Sequence, residues 1–398
     1  MPIPYGKQYI DDEDVAAVTA QLRDDWLTQG PTVGRFEEAL AGITGAKYAV
    51  AVSSGTAALH LACLAAGVRS GDVGITTTNT FLASANCIRY CNGRPWIVDV
   101  EPETGLMSLP ALEQALARAR EEGIRPKVVI PVDFSGGPPA LCAIQRLAHD
   151  AGAIVIEDAA HSLGGTYTVD GATYRAASCA HATMAILSFH PVKHLTTVEG
   201  GAITTNDEKL YRQLLDLRTH GITKDPARLT RNDGPWYQEQ QTLGYNYRLT
   251  DVQCALGLSQ AKKLPRFLER RRAIAAMYDR AFEKSPFEGR IAPLRARAGV
   301  TSAYHLYVVR FLPREDGLAG VAERRKAAFL ALREGGIFPQ VHYVPIHLHP
   351  DYAPFVEGQS FPGADAYYAS CISLPMFPAL DDAGVQKVID AMARIVDR

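Results

Sequence analysis

The chain has 398 residues, 47% of them hydrophobic and 21% charged, with a formal net charge of -2. At ~150 residues per domain this length suits two domains, or one large domain with an appendage, and the composition is that of an ordinary soluble globular protein. The near-neutral balance offers no general attraction for nucleic acid or an anionic membrane, so an anionic ligand needs a local site.

The first residues, MPIPYGKQYIDDEDV, carry neither a basic stretch nor an apolar core, so no secretion signal is expected. No apolar run approaches the ~20 residues of a membrane span. Seven cysteines, an odd number without metal-like clustering, point to reduced thiols in a cytoplasmic enzyme. Cys87 and Cys91 read as packing residues. No metal is expected, because no second ligand pair stands at suitable spacing.

In chain order, "YAVAVSS" (48–54) reads as a buried strand and "GTAALHLACLAAG" as the helix that follows it. "GITTTNT", "PWIVDVE", "KVVIPVDF" and "AIVIEDAAH" read as further strands, with "FLASANCIRYC", "LPALEQALARAREEG" and "LCAIQRLAHDAG" as the helices between them. "MAILSF" (184–189) is one more buried strand. This alternation predicts an α/β fold, a mostly parallel sheet covered by helices on both faces. Beyond "GGAITTND" the rhythm changes. Residues 222–242 read as a long polar loop, and "TDVQCALGLSQAKKLPRFLERRRAIAAMYDRAF" as a long helical region interrupted near Pro265. From about residue 285 the pattern is that of a smaller α+β domain, with "AYHLYVVRF" and "QVHYVP" as strands. The expected division is therefore 1–284 for a large domain with an N-terminal arm, and 285–398 for a small C-terminal domain.

Four features fall at strand ends or helix starts, where open α/β sheets place their ligands. Ser53-Ser54-Gly55-Thr56-Ala57 turns from strand into helix, and such a turn either caps the helix or presents N–H groups to a phosphate. Phe81, in "TNTFLASAN", is either a core residue or the face of a ring site. Asp158 ends an apolar strand beside Ala159, Ala160 and His161. Its carboxylate needs a cationic partner, either Arg or Lys or a protonated pyridine nitrogen. Lys193 follows one strand later, in "SFHPVKHLTTVEGG". A lysine there is either a solvated loop residue or an amine held so that it loses its proton readily and forms a Schiff base. Together, a phosphate turn, an aromatic residue, a strand-end Asp and a strand-end Lys are what pyridoxal 5'-phosphate requires.

The motifs "WLTQGPTVGRFEEALA", "VSSGTAALHLA", "TTNTFLASAN", "VIEDAAHSLGG", "SFHPVKHLTTVEGGAITTND", "GYNYRLTDVQCALGLSQ", "QVHYVPIHLHP" and "SLPMFP" span nearly the whole chain. By them the sequence resembles the DegT/DnrJ/EryC1/StrS sugar aminotransferases, fold-type I pyridoxal phosphate enzymes. "VDFSGGP", "DAAHSLGGTY", "SFHPVKH", "YHLYVVR" and "QVHY" are most similar to the branch that makes the 4-amino precursor of pseudaminic acid.

The resemblance implies a role for each matching residue. Lys193 would bind the cofactor covalently and shuttle protons. Asp158 would pair with the pyridine nitrogen, and His161 would lie beside the phenolic oxygen. Phe81 and Ala160 would flank the ring. Gly55, Thr56 and Ser188 would hold the phosphate. Asn246 would reach the phosphate in a neighbouring subunit, which makes the enzyme a homodimer with shared active sites. Thr28, Gln29, Gly30, His342 and Tyr343 stand at family positions that contact the sugar nucleotide, although His342 reads equally well as a structural histidine. The implied substrates are L-glutamate and a UDP-linked 4-keto-6-deoxy N-acetylamino sugar.

Two departures stand out. Val198 replaces a glycine common in relatives, and because a β-branched residue disfavours positive φ, a differently shaped loop is expected. Gly74 replaces a larger apolar residue and reads as local packing. Three rivals remain: another nucleotide-sugar 3- or 4-aminotransferase, a keto-sugar dehydratase or lyase on the same fold, and a sensor that keeps the cofactor but does no chemistry. A dinucleotide-binding protein lacks its G-x-G-x-x-G after the first strand.

Overall fold

In the computed structural model, which describes residues 2–396, the apolar runs assemble into one seven-stranded sheet. In chain order the elements of the first half are β1 (Ile3–Pro4), α1 (Asp12–Leu22), α2 (Pro31–Thr44), β2 (Tyr48–Val52), α3 (Gly55–Ala65), β3 (Val73–Thr77), α4 (Ala83–Tyr90) and β4 (Arg94–Val98). There follow α5 (Leu109–Glu121), β5 (Pro126–Ile130), α6 (Leu141–Asp150), β6 (Ile154–Asp158), the hairpin β7 (Thr166–Val169) and β8 (Ala172–Arg175), β9 (Met184–Ser188) and β10 (Gly201–Thr205). The large sheet has the order β2-β10-β9-β6-β5-β3-β4. Its strands pair in parallel except β10, which runs antiparallel to both neighbours.

Alternation along each strand fills both faces of this sheet. Met184 and Ile186 of β9 pack with Val50, Ile156, Ile203 and the α3 residues Leu61 and Ala62. Ala185 and Leu187 turn the other way, onto Phe36, Leu40 and Leu264. Because α3 has a layer on every side, its run "AALHLACLA" needs no polar face. Gly74 is a packing residue as expected, since a Cβ there would stand 2.7 Å from Ile88 Cδ1 and 2.9 Å from Val128 Cγ2.

After α7 (Glu208–Arg218) the loop at 222–242 holds only the short pair Ile222–Thr223 and Glu239–Gln240. The next helix, α8 (Asp251–Phe282), corrects the expected interruption: it runs unbroken through Pro265 for 32 residues, ~48 Å. A capping box of Thr250 and Gln253 starts it, and apolar contacts at both ends hold it in register across the proline. Its last turns enter a second core. Tyr278 and Phe282 pack there with Val309, Leu332 and Met392, beneath a three-stranded antiparallel sheet (Ile291–Pro293, Tyr307–Phe311, Cys371–Leu374). The N-terminal arm crosses to this region, where β1 pairs in parallel with Ile337–Phe338.

The expected strand "QVHYVP" is corrected too. Gln340 makes one bridge to Ser373, and 341–344 carry no strand pairing. His342 and Tyr343 both line the same cavity, which two successive residues of a pleated strand cannot do.

Candidate active site

Where β6 and β9 end and α3 begins, a cavity of about 380 Å³ opens. Ten residues singled out from the sequence line it: Gly55, Thr56, Phe81, Asp158, Ala160, His161, Ser188, Lys193, His342 and Tyr343. Tyr5, Ser84, Glu199 and His305 line it as well and were missed. Thr28, Gln29 and Gly30 do not reach it. They stand by a bridge from Thr28 to Thr250, and Gln29 and Gly30 line a smaller cavity with Glu37, Arg218 and Arg248. Asn246 lies outside the main cavity as well, exposed and bridged to Thr219, while its sequence neighbours Tyr245 and Tyr247 stack on each other.

Lys193 sits on a loop closed at its neck. Phe189 N–H donates to Gly200 O (2.8 Å), and Thr197 N–H and Thr196 Oγ1 donate to Phe189 O (3.1 and 3.0 Å). Val198 takes a positive φ of 69° in spite of its β-branch, its N–H held by Thr196 Oγ1 at 2.9 Å. Burial brings the Lys193 amine down to about 8, against the opposing pull of Asp158.

Asp158 is locked at the end of β6. It accepts from Ser84 Oγ (2.6 Å) and from Ala160 N–H (3.2 Å). Burial raises its pKa, and the Ser84 hydroxyl, the Ala160 N–H and Lys193 oppose that rise. A buried carboxylate in this state calls for one more positive partner. His161 receives or donates one hydrogen bond, between Nε2 and Tyr343 Oη at 3.1 Å, and its buried Nδ1 has no protein partner. Burial first, then the charges of Lys193, His342 and His194, hold its pKa well below the usual imidazole value.

The turn into α3 is shaped by Ser54, whose Oγ accepts from Ala57 N–H at 3.1 Å. The N–H groups of Gly55 and Thr56 belong to the helix's unpaired first turn, at its positive end. Gly55 is also where side-chain bulk is refused, since a Cβ would lie 3.0 Å from Ser188 Cβ. A bare, positive helix start beside a serine suits a phosphate. A buried carboxylate, an orphaned imidazole nitrogen, a desolvated amine and this phosphate cradle in one cavity fit pyridoxal phosphate.

The DegT/DnrJ/EryC1/StrS aminotransferase family model matches residues 8–393. The chain belongs to this family. The spore coat polysaccharide biosynthesis protein SpsC of Bacillus subtilis is 37% identical over 99% of this chain and 97% of its own. Helicobacter pylori PseC, an aminotransferase of pseudaminic acid biosynthesis, superposes with a TM-score of 0.87 at 28% identity, covering 100% of both chains. Spr1654 of Streptococcus pneumoniae, described as a sugar aminotransferase, superposes with a TM-score of 0.87 in its PMP form, at 29% identity over 100% of this chain and 98% of its own. It has been solved in a PLP form too. By family and fold this chain is a sugar aminotransferase.

Among the described residues no group of three or more His, Cys, Asp or Glu is placed to hold a metal, and no helix is long and apolar enough to cross a membrane.

Proposed function

We propose that this aminotransferase uses pyridoxal phosphate to move the amino group of L-glutamate to the C4 ketone of a UDP-linked 4-keto-6-deoxy N-acetylamino sugar. Glutamate leaves as 2-oxoglutarate and the ketone carbon becomes an amine. The observation that carries this reading is the meeting of Lys193, Asp158 and the α3 turn in one cavity.

When bound, the cofactor supplies an electron sink for the carbon that loses or gains a proton. The chain supplies everything else. Gly55, Thr56 and Ser188 bind the phosphate. The Asp158 carboxylate, steadied by Ser84, holds a proton on the pyridine nitrogen. Phe81 and Ala160 flank the ring, and His161 offers an uncharged imidazole at its phenolic edge. Lys193 holds the cofactor until substrate arrives; afterwards its Nζ takes a proton from one carbon and returns it to another. Burial already lowers the amine's pKa toward neutral, as a base and acid at one atom requires.

In this reading the enzyme is a homodimer. Asn246 serves the neighbouring subunit's phosphate, and Thr28, Gln29 and Gly30 serve the sugar nucleotide. His342 and Tyr343 line the sugar side of the cavity. The seven cysteines are all free, which fits a reducing cytoplasm. Similarity to PseC supports the pseudaminic acid precursor as product. The greater identity to SpsC, 37% against 28%, supports a second reading in which a different nucleotide sugar is aminated at C3 or C4.

The test is an amine-transfer screen with glutamate and UDP-, GDP- and dTDP-linked keto sugars, with product structures read by NMR. C4 amination of the UDP-linked N-acetylamino sugar is expected. Preference for another nucleotide sugar selects the second reading, and ammonia release without glutamate would replace both with a dehydratase or lyase.

A further inference from the structure

His305 reaches the cavity from outside the large sheet, and its backbone is fastened from several directions. Arg271, buried in the middle of α8, donates through one guanidinium nitrogen to Tyr304 O (3.1 Å), His305 O (3.2 Å) and Met376 O (3.1 Å). His194 Nε2 donates to Ala303 O at 3.0 Å. Ser135 Oγ donates to Leu306 O at 3.0 Å, and Leu306 N–H returns a bond to Ser135 O at 3.2 Å. Gly136 lies so close beneath that a Cβ would stand 2.6 Å from Tyr304 N and 2.9 Å from His305 N. Tyr304 turns the chain there with a φ of 49°.

The imidazole delivered by this turn lies with its centroid 4.2 Å from that of His161, tilted by 39°, and 5.7 Å from that of His194. Its Nδ1, like those of His161 and His194, is buried without a protein partner. No hydrogen bond joins the three rings to one another: His161 is tied to Tyr343 Oη and His194 to Ala303 O, while the His305 ring meets His161 by ring contact. The charged and titratable groups around them are Lys193, Asp158, Arg271, Arg272, His342 and Tyr343, contributed by four different segments. A backbone held this firmly, ending in a side chain with no bond of its own, is built to present a surface.

We infer that His305 is a positioning residue whose ring packs against His161 and holds that imidazole in place at the cofactor's phenolic edge. This rests on the cofactor reading above. The sequence showed "YHLYVVR" only as a motif; contact with His161, 144 residues away, is visible only in the fold.

The test prepares apoprotein from the wild type, His161→Ala, His305→Ala, His305→Phe and the double alanine variant, and titrates each with pyridoxal phosphate. We expect His305→Ala to lose about tenfold in affinity or more, His305→Phe to keep most of it, and the double variant to lose no more than His161→Ala. Wild-type affinity in His305→Ala overturns the inference, as does a loss in His305→Phe equal to that in His305→Ala, or losses that multiply in the double variant. A second readout needs no cofactor. NMR of isotope-labelled histidine follows the titration of His161, whose midpoint should rise toward its ordinary value of about 6.5 when water enters in His305→Ala and stay low in His305→Phe. An unmoved midpoint in His305→Ala overturns the ring contact. A wild-type apoprotein that takes up no pyridoxal phosphate overturns the cofactor reading and the purpose given to His305 with it, while the NMR result judges the contact separately.

Discussion

Lys193 shows how burial prepares an amine for covalent work. Taken out of water its charged form is disfavoured, and Asp158 restores only part of that cost, so its pKa falls from 10.5 to about 8. Capture of pyridoxal phosphate by the apoprotein should therefore reach half its limiting rate near about pH 8, as stopped-flow absorbance can show. A half-point near that of free lysine would mean that the amine is solvated. Val198 tests local strain at the mouth of the same loop. A β-branched residue at a φ of 69° is an outlier, so Val198→Gly should stabilise the fold by about 1 kcal/mol in chemical denaturation. Lys193, Asp158, Gly55 and Phe81 were legible in the sequence because each stands in a short motif at a strand end or helix start. Tyr5, Ser84 and His305 were not, because their contacts span the fold. Ser84 meets Asp158 from 74 residues away, and Tyr5 rides on the arm that reaches the His342 ring, 5.1 Å off.

The elements were read well where periodicity and burial agreed, and less well where a local rule met tertiary packing. The βα rhythm of the large sheet follows directly from short apolar runs between amphipathic or fully buried helices. At Pro265 the local rule said break, yet α8 continues, because Phe36, Leu40 and Leu187 grip one half and the C-terminal core grips the other. The proline is exposed, so Pro265→Ala should restore a helix hydrogen bond at no packing cost and stabilise by about 1–3 kcal/mol. A lower melting temperature in that variant would show that the helix needs a bend there. The "QVHYVP" segment failed for the opposite reason. Its apolar alternation is strand-like, but two neighbouring side chains are both drawn into the cavity.

Across the whole molecule, four imidazoles, those of His161, His194, His305 and His342, are buried and held uncharged, His342 down to about 3. A histidine whose folded pKa is depressed contributes full stability above its unfolded value and loses it as pH falls below that value. Asp133, Glu157 and Asp158, raised by burial, act in the opposite direction, so the histidine share is read by difference. Between about pH 7.5 and about pH 5.5, His194→Gln should gain about 1.4 kcal/mol relative to wild type, because glutamine has no proton to take up on unfolding. An unchanged difference would mean that His194 is not held neutral. At this scale, too, one chain leaves Phe81 58%, Val198 61% and Leu243 74% exposed, which suits coverage by a second subunit. Light scattering should find a dimer, and a fully active monomer would contradict the shared site.

The central claim is the attachment of cofactor to one amine, and reduction with borohydride followed by peptide mass spectrometry tests it most directly. After incubation with pyridoxal phosphate, the label should appear on the peptide carrying Lys193 and vanish in Lys193→Ala. Label on another lysine, or none on the wild-type protein, would contradict the account.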